Sequence, residues 1–232
     1  MTLTEINKIL KKLNEKGFVS SLRKGPTGIG HLIETEFGLS ETNVAVKDIG
    51  GRVEIKATRR DANSLITLFT FNRGVWRIKL IDLINNYGYI DEKGRMSLYN
   101  TVYFGLVNSH GFYLTIDRPK SLIILNNEKQ ENIAEWSIFS VTGKFMYKLD
   151  RILLILADSK TVGDRELFHF NEAYLLEEPT PNNFLKAFED RKVMIDLRMH
   201  IKESGGVRNH GTGFRMAEKD LVDLYNKKRR LI

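Results

Sequence analysis

The stretch Asp48-Ile-Gly-Gly-Arg-Val-Glu54-Ile-Lys56 concentrates residue types that can do hydrolytic chemistry. It supplies a carboxylate before a two-glycine turn, and then a second carboxylate and an amine two residues apart. Residues i and i+2 of a strand point to the same face, so Glu54 and Lys56 can converge on one point. Carboxylate oxygens bind hard divalent cations, and a neighbouring ammonium can orient a water or stabilise developing negative charge. The alternative is a solvated strand on which Glu54 and Lys56 form an ordinary ion pair.

The elements that must position these groups follow from the spacing of apolar residues. Residues 2–17 predict an amphipathic helix, and residues 27–38 predict a second helix with Glu34 at the edge of its apolar stripe. The period then changes to two, which is typical of strands, with Gly50-Gly51 as the turn. The unbroken apolar run Ile152–Ala157 predicts a central strand that is covered on both faces.

The rest of the chain mixes short strands and helices without a regular strand-helix-strand alternation. We expect a strand at residues 101–107 and a C-terminal helix that carries Leu221, Leu224 and Tyr225. This order predicts an α/β or mixed α+β fold, with a mixed central sheet flanked by helices. Because no linker is evident, the prediction is a single domain, residues 1–232, with two lobes around a cleft: approximately residues 1–160 and residues 161–232.

Composition is that of an ordinary globular protein, with 42% hydrophobic and 10% aromatic residues among 232. No run of eighteen apolar residues occurs, and the N-terminus opens with a charged amphipathic segment. We therefore expect a soluble cytoplasmic protein without a membrane partner. The absence of cysteine excludes disulfides, thiol catalysis and thiolate zinc sites.

The net charge of +7 is concentrated at the two ends of the chain. Residues 1–30 contain six Lys/Arg against two Glu, and residues 201–232 contain eight Lys/Arg against four Asp/Glu. Such a distribution is typical of proteins that hold a polyanion, and the basic segment Lys227–Arg230 is then expected to contact phosphates. The alternative is that the charge serves solubility alone.

A second group of polar residues lies near the C-terminus, around a glycine-rich loop. Strand alternation puts Asp196, Arg198 and His200 on one face. Arginine can donate two hydrogen bonds to guanine, and aspartate can accept one from cytosine, so this face can read G·C pairs. The alternative is a cross-strand Asp/Arg ion pair. The candidate DNA-binding residues are Asp196, Arg198, His200, Arg208, Asn209, His210 and Arg215.

Several segments together resemble the MvaI/BcnI family of type II restriction endonucleases and their relative, the MutH strand-nicking nuclease of mismatch repair. The similarity covers nearly the whole chain and is carried by Thr27-Gly-Ile-Gly-His-Leu-Ile-Glu34, Val53–Ala57, Leu65–Phe69, residues 150–157 and residues 196–215. The resemblance implies a restriction-endonuclease-like PD-(D/E)xK core and hydrolysis of double-stranded DNA that depends on Mg²⁺ or Mn²⁺. It also implies that Glu34 joins Asp48 and Glu54 at the metal, and that Lys148 assists Lys56.

For the recognition segment, the resemblance implies a D-x-R strand and a loop that read a short C/G-rich site. The chain keeps Gly211-Thr-Gly-Phe-Arg215 of this pattern. It departs from the pattern at Arg208 and Asn209, where a histidine and an acidic residue are expected. The Asn209 amide offers a donor as well as an acceptor, whereas a carboxylate only accepts. The target sequence of the family therefore cannot be transferred to this chain.

Residues and resemblance together predict a type II restriction endonuclease that acts as a monomer and nicks each strand in turn. A cognate DNA methyltransferase is expected in the same restriction-modification system. Two alternatives remain open: a MutH-like nickase that depends on mismatch-repair partners, and a DNA-binding module without catalytic activity.

Overall fold

The structure is a computed structural model that describes residues 1–21, 23, 25, 27–39, 49, 53–60, 65–71 and 75–232. The chain forms two compact units, each built from segments that are separated in sequence. The first unit comprises Met1–Ser64, Lys148–Thr180 and Leu221–Ile232, and the second comprises Leu65–Tyr147 and Pro181–Asp220.

Helices and strands of both units follow in chain order. The helices are α1 (Leu3–Glu15), α2 (Gly28–Glu36), α3 (Leu80–Tyr87), α4 (Ile138–Lys148) and α5 (Pro181–Glu189), with a 3-10 helix at Glu218–Leu224. The strands are β1 (Val19–Ser20), β2 (Glu54–Arg59), β3 (Leu65–Phe71), β4 (Tyr89–Ile90), β5 (Met96–Val102), β6 (Phe112–Asp117), β7 (Leu122–Asn127), β8 (Asn132–Ser137), β9 (Arg151–Val162), β10 (Arg165–Pro179), β11 (Val193–Ile201), β12 (Val207–Asn209), β13 (Thr212–Ala217) and β14 (Tyr225–Arg230). None of the helices in the described part of the chain is long and apolar enough to cross a membrane.

The first unit is organised around a five-stranded mixed sheet in the order β1-β10-β9-β2, with β14 also paired to β10. β2 and β9 are parallel, whereas β10 is antiparallel to β9, β1 and β14. The predicted central strand is confirmed: β9 lies between β2 and β10, and Ile152, Leu153 and Ile155 are fully buried. A mixed sheet flanked by helices is the predicted fold class.

Two helices cover one face of this sheet. α1 begins at a capping box, in which the Thr2 hydroxyl accepts from the Glu5 amide and the Glu5 carboxylate accepts from the Thr2 amide. Apolar residues of α1 and α2 then pack with Ile55 of β2 and with residues of β9 and β10 in one hydrophobic core. Burying one face of the sheet in this way fixes the register of β2, because a one-residue slip would turn its apolar side chains outward.

The second unit contains a six-stranded sheet and a separate three-stranded sheet. The six-stranded sheet has the order β3-β13-β11-β5-β4, with β12 paired to β11. The three-stranded sheet is the antiparallel meander β6-β7-β8. Stacked rings of Phe69, Phe184 and Phe214 form part of the core, and the Trp136 ring meets Phe214 edge-on.

The C-terminal segment differs from the prediction. In place of a helix through Tyr225, the chain forms the 3-10 helix Glu218–Leu224 and then the strand β14, which pairs with β10. Leu221 and Leu224 are buried as expected, but backbone pairing with a long exposed edge of β10 outweighs the helical spacing of the apolar residues. The predicted division near residue 160 falls inside β9, since the units are discontinuous in sequence.

Burial along β9 generates a prediction about stability. We expect Ile155→Ala to lower the free energy of unfolding by about 2–5 kcal/mol, because Ile155 is fully buried and its truncation leaves a cavity. Val162→Ala is the matched control near the end of the same strand: its side chain is exposed, so the change should stay within about 0.5 kcal/mol. Urea unfolding measures both, and equal losses would contradict the central position of β9.

Candidate active site and recognition face

Glu54 and Lys56 lie side by side on β2. The Lys56 Nζ donates to the Glu54 Oε1 at 2.7 Å. Ile55, between them, packs into the core under α1 and α2, so strand alternation turns Glu54 and Lys56 to the opposite face of the sheet. The Glu54 side chain is 11% exposed and that of Lys56 is 26% exposed. The predicted convergence of a carboxylate and an amine is therefore present, in a site that solvent still reaches.

Parallel pairing with β9 sets the surroundings of this pair. Glu54 lies opposite Ile152 and Lys56 lies opposite Leu154. Both apolar partners are buried, so one side of the Glu54–Lys56 pair rests on a surface of low polarity. Charge interactions are stronger beside such a surface than in bulk water.

Of the other predicted active-site residues, Glu34 and Lys148 belong to the first unit. Glu34 is half-buried on α2, which packs on the Ile55 face of β2, opposite to the face of Glu54 and Lys56. Lys148 is the last residue of α4 and is also half-buried, three residues before β9 begins. Asp48 and the Gly50-Gly51 turn lie outside the described residues. Ile49, which follows Asp48 in the chain, pairs antiparallel with Val53.

The donor groups at this site determine whether it can hold a metal ion. Among the described residues, no group of three or more His, Cys, Asp or Glu side chains is placed to hold a metal ion. Glu54 offers carboxylate oxygens and is partly accessible, which suits a hard divalent cation. The donor chemistry at Glu54 therefore fits such an ion, and the predicted ligand set also requires Asp48 and Glu34.

A polar face of the six-stranded sheet in the second unit carries the other candidate group. β11 pairs with β5 so that Asp196 lies opposite Thr101, Arg198 opposite Tyr99 and His200 opposite Ser97. Alternation places these side chains on one face, as predicted, while Ile195, Leu197 and Met199 are fully buried in the core.

Asp196 is engaged within the protein on this face. Its Oδ1 accepts from the Thr101 hydroxyl at 2.7 Å, and its Oδ2 accepts from the Arg215 guanidinium at 2.6 Å. Arg215 also donates to the Leu65 carbonyl at 2.8 Å. The cross-strand Asp/Arg pair, the alternative considered for this face, is therefore present. It fixes the Arg215 guanidinium beside β3.

Arg198 is held by contacts on the side of its strand where β13 and then β3 lie. It donates to the Thr70 hydroxyl on β3 at 3.0 Å. On β13, a Cβ added to Gly213 would lie 3.3 Å from the Arg198 guanidinium. Gly213 therefore provides the room that the guanidinium occupies, since any larger residue would force it to shift.

Two histidines stack beside these arginines. The ring centroids of His200 and His210 are 5.4 Å apart, and Tyr99 Oη lies 3.3 Å from His200 Nδ1. Burial and then the positive charge of Arg95 lower the pKa of His200. Desolvation and then the charge of Arg208 lower the pKa of His210. Both rings are thus neutral at pH 7, so each offers one donor and one acceptor.

The two residues that depart from the family pattern, Arg208 and Asn209, are both on β12. Arg208 is exposed and lies opposite His200 in the β11–β12 pairing. Asn209 Oδ1 accepts from the Gly211 amide at 2.8 Å, so its amide side chain shapes the loop that leads into β13.

Sequence reasoning missed the partners of this face on β3 and on or just before β5: Thr70, Arg95, Tyr99 and Thr101. The predicted strand at 101–107 started too late, because β5 is Met96–Val102. The alternation of Ser97, Tyr99 and Thr101 was the available signal.

A mixed sheet with a glutamate and a lysine on one face of its parallel β2–β9 pair defines the class of restriction-endonuclease-like nuclease folds. The family model of the MvaI/BcnI restriction endonuclease family matches residues 6–225, and the chain belongs to this family.

Two solved structures of a restriction endonuclease, MvaI, are similar to the chain over its whole length. The complex of MvaI with its cognate DNA substrate is 25% identical, with 100% of both chains covered and a TM-score of 0.79. MvaI in the absence of DNA is also 25% identical, with 100% of this chain and 99% of that chain covered and a TM-score of 0.60. Curated proteins give no match.

The Asp196–Arg215 pair generates a prediction about stability. Arg215→Ala should lower the free energy of unfolding by roughly 2–3 kcal/mol, below the ~3–5 kcal/mol of a fully buried pair, because Arg215 is 30% exposed. The control is Arg118→Ala, which breaks an ion pair with Glu189 from a side chain that is 63% exposed. That change should cost about 1 kcal/mol at most. Urea unfolding of the two variants measures both losses of stability. Equal small losses would show that the stability of the fold does not depend on the pairing of Asp196 with Arg215.

Proposed function

We propose that the protein is a type II restriction endonuclease that hydrolyses double-stranded DNA at a short C/G-rich site in a Mg²⁺-dependent reaction. The observation that carries the proposal is the Glu54–Lys56 pair on β2, in a chain that belongs to a restriction endonuclease family. We further propose that it acts as a monomer and cuts the two strands in turn.

In this proposal Asp48, Glu54 and Glu34 bind Mg²⁺ or Mn²⁺. Such an ion polarises the phosphoryl oxygens and lowers the pKa of a bound water. Lys56, held by Glu54 at 2.7 Å, orients the attacking water and stabilises the negative charge that develops on the phosphate. Lys148, at the end of α4, supports the same charge from the side of β9.

We assign base reading to the polar face of the second unit, because it carries arginine, histidine and carboxylate groups that can bind base edges. Arg198 is held in one conformation by Thr70, which prepares its guanidinium to bind guanine bidentately. The neutral rings of His200 and His210 can donate and accept along a base edge. Asp196, Arg208, Asn209 and Arg215 complete the proposed set, with Asp196 acting mainly through the Arg215 guanidinium that it holds.

Phosphate contacts are assigned to the basic strand β14. Acidic residues of β10 partly neutralise one face of it: Arg229 pairs with Glu177 and Lys227 with Glu178. Lys228, on the other face, lies over the Tyr174 ring. The contact of Lys228 is with an aromatic ring, whereas those of Lys227 and Arg229 are with carboxylates. Lys228 is therefore a better candidate for a phosphate contact than either of them.

Two other functions remain to be separated from this one. A MutH-like nickase would cut one strand and depend on mismatch-repair partners, whereas a DNA-binding module would bind without cutting. Membership of a restriction endonuclease family favours the proposed function, in which a cognate DNA methyltransferase acts in the same cytoplasm.

Cleavage of unmethylated DNA tests the proposal. Purified protein is incubated with plasmid and genomic DNA in the presence of Mg²⁺ or EDTA, and the ends are mapped. The proposal is supported if fragments that end at one short motif form with Mg²⁺ and do not form with EDTA. Nicks alone favour the repair function, and binding without Mg²⁺-dependent cutting would overturn both nuclease functions.

Variants of the β2 pair test the assigned chemistry. Glu54→Ala and Lys56→Ala should each lower the cleavage rate by roughly 10³-fold or more, since each removes a group that acts on developing charge. DNA binding in EDTA should be retained. The matched control is Glu166→Ala. It removes the ion-pair partner of Arg59, which also lies on β2, and should leave the cleavage rate unchanged. Loss of binding along with cleavage would assign the pair a role in folding instead.

Arg198 and Lys228 should affect DNA binding in different ways. Arg198→Ala should lower discrimination at one base pair by about 1–3 kcal/mol, because a guanine contact is lost. Lys228→Ala should weaken binding to all sequences alike and reduce the slope of log affinity against log salt by about 1. Competition binding with singly substituted sites at several salt concentrations measures both effects. The same outcome for both variants would contradict the division between base reading and phosphate contact.

A further inference from the structure

A buried tyrosine connects the C-terminal strand to the segment between α4 and β9. Tyr225 is the first residue of β14 and is 7% exposed. Its hydroxyl donates to the Leu149 carbonyl at 2.7 Å. Leu149 is fully buried as well, so this hydrogen bond is shielded from water.

The Leu149 carbonyl occupies a particular place in the chain. Leu149 directly follows Lys148, the last residue of α4. It directly precedes Asp150, after which β9 begins. Three residues beyond Leu149 is Ile152, which lies opposite Glu54 in the parallel pairing. The bond from Tyr225 therefore fixes the short connection between a proposed active-site lysine and the strand beside the proposed metal-binding glutamate.

The tyrosine itself is held firmly to the same sheet. Backbone pairing joins Tyr225 to Pro179 of β10, and β10 joins Arg151 of β9 through Glu177. Burial raises the pKa of Tyr225, and the negative charges of Asp150 and Glu54 raise it further. The raised pKa keeps its hydroxyl protonated, and therefore a donor, at neutral pH.

We infer that Tyr225 is a positioning residue of the active site, whose hydroxyl fixes the Leu149 carbonyl and thereby places Lys148 relative to Glu54. The inference rests on the proposed nuclease function and adds to it a residue that touches neither DNA nor metal. The ring packs in the core, whereas the hydroxyl determines the geometry of the connection. Replacement by phenylalanine separates these two contributions.

A double-mutant cycle tests the inference, with Tyr225→Phe, Lys148→Ala and the combined variant. Single-turnover cleavage is measured with DNA saturated by enzyme in Mg²⁺, so that the rate constant reports the chemical step, and urea unfolding of the same variants reports their stability. Tyr225→Phe should lower the rate constant roughly ten- to hundredfold, as expected for a displaced catalytic group. DNA affinity in EDTA should not change. In the Lys148→Ala background, Tyr225→Phe should cause no further loss of rate, because the two residues act through one group.

The outcomes that overturn the inference are distinct. A lower free energy of unfolding with an unchanged rate constant would assign the hydroxyl to stability alone. Fully additive losses in the combined variant would mean that Tyr225 acts independently of Lys148. Tyr87→Phe is the control: its hydroxyl accepts one hydrogen bond from Asn127 in the second unit, and its loss should leave the rate constant unchanged. A wild-type protein that cuts no DNA would overturn the proposed function, and this assignment with it.

Discussion

The parallel pairing of β2 with β9 is the constraint on which the candidate active site depends. It sets Glu54 opposite Ile152 and Lys56 opposite Leu154, with Ile55 turned into the core below α1 and α2. A shift of one residue would bury the two charged side chains and expose the apolar one. Hydrophobic burial of Ile55 therefore also fixes the face on which Glu54 and Lys56 lie. The stability of the apolar strand thus holds a carboxylate and an amine 2.7 Å apart.

The polar face of the six-stranded sheet in the second unit follows a related rule, but here polar side chains hold one another. Asp196 holds Arg215, Thr70 holds Arg198, and Tyr99 lies beside His200. Side chains that are fixed before a ligand arrives lose less conformational freedom when it binds. A sheet face is a suitable place for this, because neighbouring strands supply a partner on either side of each residue.

Sequence reasoning found the residues of one strand more readily than their partners on others. Glu54 with Lys56, and Asp196 with Arg198 and His200, were identifiable because alternation along a strand is a local property. Thr70, Thr101 and Tyr99 were missed, because strands far apart in sequence pair in ways that local patterns do not specify. The C-terminal segment was wrongly predicted as a helix for the same reason: β14 exists because β10 offers an edge to pair with.

The sequence by itself determined the fold class, the family resemblance, the central apolar strand and the Glu54–Lys56 spacing, since each of these is expressed in local composition or periodicity. Only the tertiary structure decided that Asp196 forms an ion pair with Arg215, and that the two compact units are each assembled from separated segments. It also decided that the hydroxyl of Tyr225 reaches the Leu149 carbonyl, 76 positions earlier in the chain. Contacts of this kind arise from strand pairing and packing over long sequence separations, and no local pattern in the chain encodes them.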